Sequence, residues 1–262
     1  MARVLITGAR RGIGLDVARR LAQRGHEVWA TVHAATEVAP LREALRAGGP
    51  RVHVEKLDIT AAPDRARAAT WDIDVLINNA AIGDSGPLLE IDVDRIRRVF
   101  ETNLHATLEL TQLVVRDMIA RGKKDGRGRV ILIGSMAGLI PTPFLAPYAM
   151  TKFALESLAY SLRAELKPFG IPVVQINPGA YGTGFNEENI GRKYDFVGPD
   201  SLYRDHLRQI KRAERGILNF EVKDTGGIAR KIVQAAEARR PRRRYAAPWW
   251  QWLSVPLARL LG

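Results

Sequence analysis

Short apolar runs alternate with amphipathic stretches along most of the chain, and the alternation predicts its elements. Val4-Leu5-Ile6-Thr7 is a continuous apolar run too short for a helix, so it reads as a buried strand. Gly8 to Gly14 interrupts it, after which Leu15, Ala18, Leu21 and Ala22 recur at helical spacing as far as Arg24. Glu27 to His33 predicts a second strand, Arg51 to Leu57 a third by its alternation, and Asp74 to Ile77 a fourth. Val130 to Ile133 and Pro172 to Ile176 give a fifth and a sixth. An Ala-rich helix follows Asp58, and one long helix is expected from about Asp92 to Arg121, with Ile96, Val99, Phe100, Leu104, Leu108 and Val114 on its apolar face. Another runs from Ala149 to Leu166 and stops at Lys167-Pro168-Phe169-Gly170. Strands alternating with helices predict an α/β fold around one parallel sheet, and residues 1–262 are expected to form a single domain.

Polar or glycine-rich turns close the strands at Gly8, Asp58, Asn79, Ser135 and Pro178. In a parallel sheet these turns all fall on the carboxyl edge, where ligands bind in such folds. The first has the spacing G-x-x-x-G-x-G, with Gly8, Gly12 and Gly14 between strand and helix. Glycine there lets a pyrophosphate approach the helix N-terminus, where free N–H groups favour an anion. The Lys-Ser/Thr pair of a P-loop is missing, which turns the reading away from nucleotide hydrolysis. At the end of the second strand an acid would bind the ribose hydroxyl of NAD, but Val32 and His33 stand there. With Arg10 and Arg11 in the facing turn, the electrostatics favour NADP, NAD being the less favoured cofactor; the bland reading is two exposed turn arginines.

The chemistry-bearing stretch is Gly134-Ser135-Met136 together with Tyr148-Ala149-Met150-Thr151-Lys152. On a helix Tyr148 and Lys152 project from the same face, one turn apart. A nearby ammonium favours the phenolate, so Lys152 is expected to lower the Tyr148 pKa, while Ser135 can hold an oxygen with which Tyr148 exchanges a proton. A Y-x-x-x-K string alone is weak and equally describes a half-buried tyrosine beside a solvated lysine. Asn103, an indifferent helix former in the middle of the long helix, is either tolerated there or makes a polar contact towards the site.

Composition narrows the classes. With 46% hydrophobic residues in 262 the chain can bury a full core. No cysteine is present, which excludes disulfides, thiolate metal sites and a cysteine nucleophile. The five histidines, His26, His33, His53, His105 and His206, show no ligand spacing, so no metal is expected. Much of the net charge of +12 gathers at Arg239, Arg240, Arg242, Arg243 and Arg244, and no aromatic-interleaved basic face suggests nucleic acid. The chain opens directly on a strand without a secretory leader, so a cytoplasmic location is expected.

Taken together, Thr7-Gly8-Ala9-Arg10-Arg11-Gly12-Ile13-Gly14, Asp58, Asn78-Asn79-Ala80-Ala81, Asn103, Ser135, Tyr148 with Lys152, and Pro178-Gly179 followed by Thr183 resemble the short-chain dehydrogenase/reductase family. The resemblance spans residue 3 to about residue 183. It implies a doubly wound Rossmann-type sheet with helices on both faces, in three layers, and hydride transfer between NAD or NADP and an alcohol or carbonyl compound. By that resemblance Tyr148 is the general acid/base, Ser135 holds the reacting oxygen, Lys152 binds the nicotinamide ribose and lowers the Tyr148 pKa, and Asn103 positions water in a proton relay behind Lys152. Cofactor contacts are expected from Gly8, Arg10, Arg11, Gly12, Ile13, Gly14 and His33, from Asp58, Ile59, Asn79, Ala80 and Ala81, and from Tyr148, Lys152, Pro178, Gly179, Tyr181 and Thr183. Ala81 stands where the family usually has glycine. Arg11 and the missing acid at Val32 resemble the NADP-preferring members.

By the same resemblance residues 184–224 are expected to form a lid over the substrate, and with Ser135, Tyr148, Ile140, Phe144 and Phe185 they suggest a hydrophobic alcohol or ketone as substrate. The tail, 239–262, is basic and then apolar. A helix folded over the substrate mouth or against a partner subunit suits it better than an interfacial membrane anchor, and Pro248, Pro256 and Arg259 break it too often to span a bilayer. A homodimer or homotetramer is expected from the family's usual helix face. A non-catalytic NADP-binding regulator on the same fold is the alternative, against which the full set Asn103, Ser135, Tyr148 and Lys152 weighs.

Overall fold

The computed structural model describes residues 1–123, 128–140, 142–196, 200–253 and 255. Its centre is a parallel sheet whose strands run β1 (Arg3–Ile6), β2 (Glu27–Val32), β3 (Val52–Lys56), β4 (Val75–Asn78), β5 (Arg129–Ile133), β6 (Val173–Pro178) and β7 (Arg244–Ala247), in the spatial order 3-2-1-4-5-6-7. The chain winds outward from β1 in one direction and from β4 in the other. A crevice therefore opens at the carboxyl ends of those two neighbours.

The central strands β1, β4, β5 and β6 are buried on both sides because both faces are covered. Along β1, Val4 and Ile6 enter one core while Leu5 enters the other, as the two-residue period of a strand demands. On the first face lie α1 (Gly12–Gln23), α2 (Val38–Ala44) and α9 (Gly226–Glu237), contributing Val17, Leu21, Leu41, Ile228 and Ile232. Ala68 of α3 (Ala62–Ala68) packs on the second face with α5 (Thr107–Ala120) and α6 (Ala146–Glu165), which contribute Leu110, Val114, Met118, Leu155 and Ala159. The remaining helices are α4 (Val93–Phe100), α7 (Phe185–Gly191), α8 (Leu207–Asn219) and α10 (Trp249–Trp252).

Two expectations change. The long helix from Asp92 to Arg121 is broken by a π-helical turn at Glu101–Ala106, which carries Asn103 into the interior. The tail, basic and then apolar in sequence, also contributes an element that was not expected, because Arg244 to Ala247 pair with Gln175 to Pro178 as a seventh strand. Tyr245 is buried, and Arg244 donates to Asn177 Oδ1 and pairs with Glu156. Since β7 is parallel to the sheet, Arg239 to Arg243 precede it on the amino edge and the tryptophans follow it on the carboxyl edge, about 10 Å or more away at ~3.3 Å per residue. Arg239 to Arg243 are thus set apart from the tryptophans, while Arg244 lies over the Trp252 ring, 5.8 Å from its centroid.

Candidate active site

The glycine turn fits a dinucleotide for reasons visible in the backbone. Arg11, the residue before α1, is extended and offers no side-chain cap, and the first turn of α1 holds no acid, so neither supplies an anion to the N–H groups at the start of the helix. Gly12 has φ 59°, and a Cβ there would lie 2.8 Å from Thr183 Cγ2. A Cβ on Gly14 would meet the Gly8 carbonyl oxygen at 2.6 Å and Asn79 Nδ2 at 2.7 Å. Asn79 Nδ2 itself donates to the carbonyls of Thr7 and Gly8, which ties the ends of β1 and β4 together.

Each of the expected cofactor residues lines one crevice of about 530 Å³. Gly8, Arg10, Arg11, Gly12, Ile13 and Gly14 form its floor beside His33, Asp58 and Ile59. Asn79, Ala80 and Ala81 continue along the end of β4, and Tyr148, Lys152, Pro178, Gly179, Tyr181 and Thr183 close the far end with Ser135. The residues hold a shape and a donor set suited to a pyridine dinucleotide.

The charge there differs from the sequence expectation. Glu37, just before α2, also lines the crevice; Arg10 Nη1 lies 2.7 Å from its Oε1, and His33 Nδ1 is 3.1 Å from its Oε2. Arg11 Nη2 pairs with Glu188 of α7 at 2.6 Å. Both arginines are thus engaged by carboxylates. Position 37 lies past the end of β2, beyond the place at which sequence reasoning looked for an acid; the turn Ala35–Glu37 folds it back.

At the other end, Ser135 follows β5 and its hydroxyl accepts from the Ala137 N–H at 3.1 Å. Its turn lies against α6 because Gly138 has no side chain; a Cβ there would meet the Lys152 carbonyl oxygen at 2.7 Å. Pro147 sits in the first turn of α6, where its missing N–H costs nothing, and Tyr148 follows it. Lys152, one turn on, donates from Nζ to the Ile133 carbonyl at 2.9 Å and lies 5.5 Å from the Tyr148 ring centroid. Behind it Glu156 accepts from Gln175 Nε2 at 2.9 Å and from Asn177 Nδ2 at 2.5 Å.

Burial dominates the titration of this pair. It pushes the Tyr148 phenol up to about 12, opposed by hydrogen bonding with Ser135. It brings Lys152 down to about 8, opposed by the charge of Glu156. The expected lowering of the Tyr148 pKa by Lys152 is therefore not what the protein's own groups produce: desolvation of the phenolate sets the direction, and Ser135 is the group that opposes it. Burial also raises Tyr181 to about 12, with Asp224 adding to the rise.

Asn103 is buried and lines neither cleft. Its Oδ1 accepts from the Ile82 N–H, and its Nδ2 donates to the Ile82 carbonyl and to Thr151 Oγ1, so it touches the neighbour of Lys152 in sequence.

A second cavity of about 480 Å³ opens on the other side of Ser135 and Tyr148. Ile140 lines it as expected, but Phe144 does not; it packs edge-on against Tyr203, with ring centroids 5.4 Å apart. Phe185 lines the cofactor crevice, 5.4 Å from the Tyr148 ring. Leu145 of the apolar loop and Phe220 of the expected lid line the cavity too, whereas sequence reasoning missed Ile190 and Gln251 among its walls. The tail composition hinted at Trp250, but Gln251 carries no sequence signal. Among the described residues no group of three His, Asp or Glu is placed to hold a metal ion, and no helix is long and apolar enough to cross a membrane.

Residues 2–193 match the family model for short chain dehydrogenases. The chain is 33% identical over 253 residues to 17-beta-hydroxysteroid dehydrogenase type 1 of Homo sapiens, covering 92% of this chain and 76% of that one. It is 32% identical over 213 residues to the uncharacterized oxidoreductase YusZ of Bacillus subtilis, covering 79% and 74%. Among solved structures, a short-chain dehydrogenase from Sphingobium yanoikuyae in complex with NADPH superposes with a TM-score of 0.73 at 26% identity, covering 99% of this chain and 94% of that one.

Proposed function

The chain belongs to the short-chain dehydrogenase/reductase family and is an oxidoreductase acting with NAD(P)(H), and on that premise we propose that it interconverts a hydrophobic ketone and its secondary alcohol with NADP(H). The observation that carries the reading is the position of Tyr148 and Ser135, which line both the dinucleotide crevice and the apolar cavity beside it. The cofactor supplies the hydride.

In the reducing direction, Tyr148 gives its proton to the carbonyl oxygen; a phenol held near 12 by burial is in the protonated form that this step requires at neutral pH. Ser135, with its hydroxyl fixed at the head of its turn, holds the same oxygen. Lys152 would hold the nicotinamide ribose from the base of the crevice, and Asn103 keeps the first turns of α6 in place through Thr151. The glycine turn would take the pyrophosphate, and Arg10 and Arg11 a 2′-phosphate. Their pairs with Glu37 and Glu188 involve exposed guanidinium groups and are worth little, about 0–1 kcal/mol each, so an incoming phosphate can displace them. The Sphingobium relative was solved with NADPH, which supports this choice. The apolar walls, and a human relative named for a hydroxysteroid, support a bulky substrate without assigning one.

A panel of ketones and secondary alcohols followed by NADPH and NADH absorbance tests the reading. Turnover of apolar members with NADPH ahead of NADH is expected. Turnover confined to small polar carbonyl compounds would overturn it.

A further inference from the structure

We infer that Gln251 is a positioning residue that fastens the C-terminal helix, the end of the lid and the turn after β6 into one wall of the apolar cavity, and that Trp250 on this wall sets the length of substrate accepted. The inference rests on the reading of that cavity as the ketone site.

Gln251 is a polar side chain only 7% exposed. Its Oε1 accepts from the Ala180 N–H at 2.8 Å, across 71 residues of sequence, and its Nε2 donates to the Phe220 carbonyl at 2.6 Å. A buried amide is tolerated when its hydrogen bonds are made, and both partners here belong to segments that no other part of the tail reaches by a side-chain bond among those described. The approach is close. A Cβ on Gly179 would lie 1.8 Å from Gln251 Oε1 and 3.0 Å from Pro248 Cδ, so the tail rests directly on the backbone of the turn that borders the cofactor crevice.

What this fastening presents to the cavity is aromatic. The Trp250 and Phe220 rings lie 6.0 Å apart, inclined by 41°, and both line the cavity that Ser135 and Tyr148 also line. Trp250 is 40% exposed and Phe220 60%, so a long apolar substrate has surface to cover there, and each methylene buried is worth about 0.8 kcal/mol. The catalytic end of the cavity is fixed by β5 and α6. Its far end is walled by a tail that β7 anchors to the sheet and that Gln251 ties to Ala180 and Phe220, so this amide is a point at which positioning and specificity meet.

The test uses the full chain and a ladder of phenyl alkyl ketones from acetophenone to octanophenone, with kcat, KM, NADPH dissociation by fluorescence and ketone binding by calorimetry. For Trp250→Ala, kcat/KM for the longest ketone relative to the shortest should change about tenfold, because the wall that meets the chain end is gone. In Gln251→Leu the ketone KM should rise about tenfold while kcat and NADPH affinity stay within about threefold, and Gln251→Glu, which keeps an acceptor for Ala180 N–H, should recover part of the loss. Variants that are folded by circular dichroism and keep the wild-type length preference and KM would overturn the inference. So would a Gln251→Leu variant whose NADPH affinity falls as far as its ketone KM rises, since the amide would then serve the cofactor turn alone. If wild type binds the ketones without reducing them, the proposed reaction fails, and calorimetric affinities along the ladder still decide the role of the wall by the same criteria. If wild type binds none of them, both readings fall.

Discussion

Tyr148 and Lys152 are buried to nearly the same degree, and burial drives their pKa values in opposite directions. The signs can be followed into stability. Lys152 in the folded protein sits near 8 against an ordinary 10.5, so between those values the unfolded chain binds the extra proton and stability rises with pH. Tyr148 is raised from 10.0 to about 12, so from pH 10 upward the folded chain keeps a proton that the unfolded chain releases, and stability falls. We expect Lys152→Met to remove the gain in melting temperature from pH 8 to 10, and Tyr148→Phe to remove the fall above pH 10, as measured by thermal denaturation at a series of pH values. Tyr148→Phe should also lower kcat by about 10²–10⁴ while NADPH still binds, the range expected for loss of a general acid. The identity of this pair was readable from residue types and spacing. Its electrostatics were not, because desolvation depends on what the rest of the chain packs around the ring.

At the scale of elements, a turn or a helix end decides what a residue can do. Gly12 is held at φ 59° with Thr183 against the space where a side chain would stand. Gly12→Ala should therefore cost about 1–2 kcal/mol of stability from the backbone conformation alone and weaken NADPH binding, seen in a urea titration and a fluorescence titration. Glu37 marks the limit of reading a strand end by position. Sequence reasoning looked for an acid at Val32 and His33, whereas the acid that reaches Arg10 comes four positions after His33, from a turn whose geometry no periodicity encodes. Glu37→Gln should release Arg10 and raise NADPH affinity relative to NADH by about threefold to tenfold, measured with both coenzymes, since charge-assisted bonds to a phosphate are worth roughly twice neutral ones. The π-helical turn at Glu101–Ala106 was equally hidden: the apolar face of the long helix continues across it, and only the hydrogen-bond pattern changes.

Over the whole molecule, the tail is the part most altered by folding. Arg244-Tyr245-Ala246-Ala247 is too short and too mixed to register as a strand, and it becomes one because β6 offers it an open edge. A chain ending at Arg243 would expose that edge and remove Tyr245, Ala247 and the Arg244–Glu156 pair. Its stability should fall by roughly 3 kcal/mol or more, with loss of solubility, as followed by urea unfolding and sedimentation.

Apolar periodicity, glycine spacing and the order of polar turns were enough to set the α/β class and six of the seven strands of the described sheet, and the family resemblance supplied most of the residues that line the crevice at its carboxyl edge. Such features are local, since they depend on a residue and its near neighbours along the chain. The carboxylates facing Arg10 and Arg11, the seating of Asn103 against Thr151, and the Gln251 bridge from the tail to Ala180 and Phe220 came only with the tertiary structure. Each joins residues far apart in sequence, or brought together by an irregular turn, and their pairing is set by how the layers close on one another rather than by any pattern along the chain.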